Sequence, residues 1–102
     1  EELNKENIVI YYSAITEVEL ISGNECRKIE KKAEIIKILS QFLKIPVDNR
    51  IAVRAGDFRR EYGAAFTDAV IAATAFAMKS TLITRNMQDF QKIKEIRLKA
   101  PY

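Results

Sequence analysis

The chain alternates between short apolar runs and longer stretches in which apolar residues recur every three or four positions. The first run, Ile8-Val9-Ile10-Tyr11-Tyr12, is β-rich and uninterrupted, the pattern of a buried strand, and the polar residues 1–7 before it suit the tail of a helix. Residues 16–23 predict a short helix closed by Gly23. Over residues 25–43, Ile29, Ala33, Ile36, Leu39 and Leu43 share one stripe with the lysines largely opposite, which gives the clearest helix in the sequence. Pro46 and Val47 break it and open a short strand. Asp48 is a natural N-cap for a helix running to about Tyr62, where Gly63 stops it. Thr67 starts another helix as its N-cap. That helix is rich in alanine and apolar over most of its surface, so it is expected to be packed on two sides. Residues 81–84 form a compact strand, and Ile96-Arg97-Leu98 a last one before Pro101.

Strands alternating with helices over 102 residues imply a single α/β domain with a parallel sheet. In such sheets functional groups gather beyond the carboxyl ends of the strands. Three acids stand at or soon after such ends: Glu19 after the first strand, Asp68 at a helix start, and Asp89 after Thr84.

Composition narrows the chemistry. With no histidine, Ser-His-Asp and Cys-His arrangements are excluded and a typical zinc site is disfavoured. There is no P-loop or Gly-x-Gly-x-x-Gly run. Any catalysis therefore falls to carboxylates, which favour hard cations such as Mg²⁺ or Mn²⁺. The lone Cys26 forms no internal disulfide and fits a reducing, cytoplasmic setting. No apolar run approaches the roughly 20 residues of a membrane span. The net charge of +3 permits a nucleic-acid partner without demanding one.

Each acid also has a purely structural reading. Thr16 and Glu19 have the spacing of a capping box, and Glu17 competes with Glu19 as a functional acid. Asp68 follows the expected N-cap, where the helix dipole favours a carboxylate in any case. Asp89 closes the stretch Thr84-Arg85-Asn86-Met87-Gln88-Asp89, whose Thr, Asn and Asp are ordinary turn residues.

Taken together, the acids resemble a family. Ser13-Ala14-Ile15-Thr16-x-x-Glu19-Leu20-x-x-Gly23 resembles the second acidic motif of VapC-type PIN domains. Asp68-Ala69-x-Ile71-Ala72-Ala73-Thr74-Ala75 is similar to the third, and Thr84-Arg85-Asn86-x-x-Asp89-Phe90 to the last. The resemblance runs from about Ile8 to Pro101. It implies a three-layer PIN-like α/β fold and a metal-dependent endoribonuclease, the toxin of a toxin–antitoxin pair. Glu19, Asp68 and Asp89 would hold Mg²⁺ or Mn²⁺ directly or through water, with Asn86 and Thr84 orienting the cluster. It implies an RNA substrate, an antitoxin that covers the acidic cleft, and a homodimer. Members of the family begin with a strand ending in an aspartate, in the manner of Leu-Asp-Thr, and nothing upstream of Ile8 matches it. The expectation is thus an N-terminally truncated domain that lacks its first strand.

Arg85, beside Asn86, is a candidate contact for an RNA phosphate, with a plain surface role as its alternative. Lys28, Lys31, Lys32 and Lys37 read as a solvated helix face. Tyr11 and Tyr12 could stack on bases, although a strand position favours core packing. Two rival functions remain on the same fold: a housekeeping RNA-processing nuclease, and a catalytically inactive RNA-binding or interaction module.

Overall fold

The computed structural model describes residues 9–102. The chain divides into two compact units, Glu1–Pro46 and Val47–Tyr102.

In the first unit, strand β1 (Tyr11–Ser13) leads directly into helix α1 (Ala14–Ile21). A 3₁₀ turn (Asn24–Arg27), helix α2 (Ile29–Leu39) and strand β2 (Leu43–Ile45) follow. β1 and β2 pair in parallel, with Tyr11 opposite Leu43 and Ser13 opposite Ile45. The expected strand over residues 8–12 is thus shifted and is not buried. Val9 and Ile10 precede it and are exposed, Tyr11 is exposed, Tyr12 is half-buried, and Ser13 alone is buried. Ile8 lies outside the described residues. Among the described residues β2 is the one strand that pairs with β1.

Helix α1 starts earlier than its sequence suggests. Ser13 has extended backbone (φ −77°, ψ 143°), and its Oγ accepts a hydrogen bond from the Ile15 amide at 3.2 Å. This satisfies one of the donors left over at the helix start, which is the work of an N-cap. Thr16 therefore lies inside the helix, and the Thr16–Glu19 capping box does not form.

The long helix expected over 25–43 is also shorter. Lys28 is extended (φ −86°, ψ 123°) and separates the 3₁₀ turn from α2. Leu43 belongs to β2, so the short strand precedes Pro46 instead of beginning there. A proline has no amide hydrogen to give a ladder, whereas the Leu43 amide donates to the Ile10 carbonyl at 3.1 Å. Of the apolar stripe only Leu39 is buried; Ile29 is 78% exposed and Ile36 48%.

The second unit has the core. Helix α3 (Asn49–Tyr62) packs along helix α4 (Phe66–Ala77), and both ends of α3 are as the sequence foretells. The Asp48 carboxylate accepts from the Ile51 amide at 2.9 Å, and Gly63 adopts the left-handed conformation (φ 65°, ψ 28°) that ends the helix. Glycine has no Cβ to oppose that turn. Ile51, Ala55 and Phe58 of α3 are buried, as are Ala69, Val70, Ala72, Ala73, Thr74 and Ala75 of α4. The alanines let the helix axes approach, and Phe58 fills the space between them with its ring edge-on to Phe76, centroids 6.1 Å apart.

The N-cap of α4 is Ala65, with no side-chain bond, so Thr67 is the second residue of the helix and not its cap. The breadth of burial on α4 matches the expected two-sided packing. After α4, Lys79 takes a positive φ of 54° and the chain reverses into strand β3 (Thr81–Ile83). A one-turn helix α5 (Met87–Phe90) and strand β4 (Arg97–Lys99) complete the unit. β3 and β4 pair in parallel, Thr81 opposite Arg97. The fold is thus α/β with parallel strands. Among the described residues the ladder consists of two separate pairs, one per unit, where the sequence implied one sheet.

Candidate active site

In the second unit, Thr84, Asn86 and Asp89 belong to one turn at the end of β3. The Thr84 amide donates to Lys99 O at 3.1 Å, continuing the β3–β4 ladder by one step. Its Oγ1 accepts from the Asn86 amide at 3.0 Å, and the Asn86 carbonyl accepts from the Asp89 amide at 3.1 Å. Thr84 and Asn86 therefore fix the backbone that starts α5, and Asp89 projects from the first turn of that helix, exposed.

Asp68 is half-buried in the first turn of α4. α4 packs against both β3 and α5, and Lys79, at positive φ, lies between α4 and β3.

Glu19 belongs to the first unit, exposed on α1. Its neighbour Glu17 is the acid with partners. The Tyr12 hydroxyl donates to Glu17 Oε1 at 3.1 Å, and Lys44 Nζ lies 3.3 Å from the same oxygen. Partial burial, followed by the hydrogen bond to Glu17 and that carboxylate's charge, raises the Tyr12 pKa, with Lys44 opposing. Two residues along a helix are about 200° apart, so Glu17 and Glu19 face different ways. An open groove of about 500 Å³ is lined by Ala14, Glu17, Val18, Ile21, Ser22 and Lys44, and Glu19 is not part of it. Sequence reasoning missed the Glu17–Lys44 pairing. Its one signal was the strand register that sets Tyr12 opposite Lys44.

Arg85 is exposed, with its guanidinium 5.5 Å from the centre of the Tyr102 ring. Tyr11 is exposed on β1 and Tyr12 is held by Glu17, so neither is deep in a core.

Carboxylate donors are the right chemistry for a hard divalent cation, and Mg²⁺ needs only one or two of them alongside water. Among the described residues, however, no three His, Cys, Asp or Glu side chains are gathered closely enough to hold a metal ion. No helix among them is long and apolar enough to cross a membrane.

The PIN domain family matches residues 1–96. Among solved structures, a toxin–antitoxin complex from Klebsiella pneumoniae contains a chain 34% identical to this one. The match covers 88% of this chain and 72% of that one, with a TM-score of 0.74. VapBC-1 from nontypeable Haemophilus influenzae matches at 25% identity over 92% of this chain and 75% of the other, TM-score 0.76. DNA-bound VapBC from Salmonella typhimurium, at 21% identity over 97% and 80% of the two chains, shares the fold with a TM-score of 0.82. No curated protein matches the sequence. A family match that takes in both units, joined to a relative above 30% identity, fixes the membership: this chain belongs to the PIN-domain family and is of the VapC type.

Proposed function

We propose that this chain is a divalent-metal-dependent endoribonuclease, the toxin of a VapBC-type toxin–antitoxin pair. The observation that carries the reading is the PIN family match over residues 1–96, since PIN domains are generally nucleases that use divalent metal ions. The relatives from toxin–antitoxin complexes support the toxin role and an antitoxin partner.

In this reading Asp68 and Asp89 are the carboxylates of the second unit that would hold Mg²⁺ or Mn²⁺, with Glu19 contributing directly or through water. Such an ion, when bound, supplies hydroxide from its water and offsets charge building on the phosphoryl oxygens. The protein's own part is to present these acids and to fix the turn that carries Asp89. Arg85, exposed beside Asn86, would meet a phosphate of the RNA. The antitoxin would present basic side chains to Asp68 and to Glu19, making charge-assisted hydrogen bonds. Uncovered apolar residues on β1 and α2 support self-association as a homodimer. The working compartment is the cytoplasm, where RNA is at hand and Cys26 stays reduced.

A second reading, a catalytically inactive RNA-binding module, is favoured by one observation. The described residues gather no metal-binding group of three acids. Cleavage of a labelled single-stranded RNA in Mg²⁺, Mn²⁺ or EDTA separates the two. The nuclease reading expects EDTA-sensitive cleavage that Asp68→Asn abolishes while leaving the melting temperature near that of the parent. RNA that is bound but never cut in either metal would establish the inactive module instead.

A further inference from the structure

The arginines of α3 are not alike. Asp57 sits 3.9 Å from Arg54 and 3.0 Å from Arg60, and Glu61 adds a second bond to Arg60 at 3.2 Å. Arg50 lies 4.0 Å from Asp48. Arg59, in the last turn, has no ion pair among the described residues. Its guanidinium stands 5.8 Å from the centre of the Phe66 ring.

Phe66 is itself unusual. It is the first residue of α4 and 59% exposed, on a helix most of whose apolar residues are buried. A cation in the last turn of α3 is explained by the dipole of that helix. A large ring left in water beside it is not. Phe66 precedes Asp68 by about 3 Å of helix rise and about 200° of rotation. Ring and carboxylate therefore flank the start of α4, and a strand laid across that helix end would meet both.

The other candidate acid of this unit has a similar neighbour. Arg85, four residues before Asp89, stands over the Tyr102 ring, and Tyr102 is 89% exposed. Neither Arg59 nor Arg85 is neutralised by a carboxylate among the described residues, and both adjoin a flat, wet aromatic face.

We infer that Arg59 and Phe66 form a nucleobase–phosphate subsite for single-stranded RNA at the entrance to the Asp68 end of the second unit. The inference rests on the ribonuclease reading and adds to it the residues that hold the strand. An exposed ring offers a base a stacking surface whatever its identity, and a free guanidinium alongside takes the adjoining phosphate. Duplex RNA, whose base faces are already stacked, is not a ligand for such a ring.

The test is equilibrium binding of a fluorescein-labelled single-stranded RNA to the full chain in EDTA, so that binding is read without cleavage, over a series of salt concentrations. Phe66→Leu should weaken binding by about tenfold and leave the salt dependence alone, because it removes a π face and no charge. Phe66→Tyr should restore affinity, which a merely structural role at this exposed position would not require. Arg59→Gln should weaken binding and reduce the slope of log affinity against log salt by about 0.7, the value for one phosphate of a single strand. Arg60→Gln should do neither, its charge being already spent on Asp57 and Glu61. Wild-type binding that Phe66→Leu and Arg59→Gln leave intact would overturn the subsite alone and assign the pair to a protein contact. Equal losses for Arg59→Gln and Arg60→Gln would overturn it too, as a general charge effect. Absence of any RNA binding by the wild-type chain would overturn the subsite, and absence of cleavage in Mg²⁺ and Mn²⁺ as well would overturn the ribonuclease reading.

Discussion

Phe58→Ala is the most informative single change for the scaffold beneath the candidate site. Phe58 is 1% exposed and is held between α3 and α4. Its ring meets Phe76 edge-on and Tyr62 at a tilt, each at 6.1 Å. The neighbouring side chains of α4 are largely alanines, too short to collapse into the space a lost ring would leave. Burial of a phenylalanine that cannot be replaced by relaxation is worth about 3–5 kcal/mol, and the aromatic contacts are part of that sum. Small domains have roughly 5–15 kcal/mol in all, so the substitution should remove a large share. At about 4–8 °C per kcal/mol for a chain of this size, the melting temperature should fall by at least about 12 °C. Phe58→Leu, which keeps much of the volume, should fall in between. Circular dichroism or calorimetric melting of the full chain reads this directly. Because Asp68 is carried by α4, the proposed ribonuclease activity should lose its upper temperature range in step. A Phe58→Ala chain that melts with the parent would refute the claim that the α3–α4 contact holds this unit together.

Two further expectations concern the alkaline arm of stability and association. Tyr12 is raised above its ordinary pKa by partial burial first and then by Glu17; Tyr62 is raised by its 2.6 Å hydrogen bond to Glu95 first and then by partial burial. A raised folded-state value means that stabilisation is complete below the unfolded value, about 10. It is lost as pH climbs through the folded ones. The double variant Tyr12→Phe, Tyr62→Phe should therefore flatten the decline of melting temperature above that pH, and parallel curves would sink the argument. On the first unit, Val9 (53% exposed), Ile10 and Tyr11 are exposed apolar residues at the start of β1. The chain should accordingly self-associate with rising concentration in sedimentation velocity, and Ile10→Lys should oppose it. A concentration-independent monomer would show that these residues are tolerated in water.

What the sequence made legible was whatever is decided locally. Asp48 and Gly63 bracket α3 because a carboxylate three residues before an amide, and a residue without Cβ, act within one turn of chain. The turn holding Thr84, Asn86 and Asp89 is local in the same sense. The end of α2 is not. Ser40, Gln41 and Phe42 contain no glycine or proline to announce a stop, and Leu43 leaves the helical stripe because β1, some thirty residues earlier, offers it a ladder. Ser13 displaced Thr16 as the cap of α1 for a related reason. The strand runs straight into the helix, so the cap is the last strand residue. The acids themselves were readable as motifs, whereas the partners of Glu17 depend on strand register, a long-range property that no local pattern encodes.

The two parallel pairs also bear on the order in which the molecule assembles. Parallel strands need a crossover between them, and every residue of that crossover adds to the entropy lost before the first ladder bond forms. β1 and β2 close theirs across α1 and α2, with Leu39 and Ser13 as the buried residues of those elements. The α3–α4 hairpin closes through three residues, Gly63 to Ala65, and then buries most of one face of each helix. Contacts that are close in sequence and rich in apolar area form soonest. During synthesis the first unit emerges before the second, yet the half made later is the half equipped to nucleate, so assembly runs against the order of synthesis.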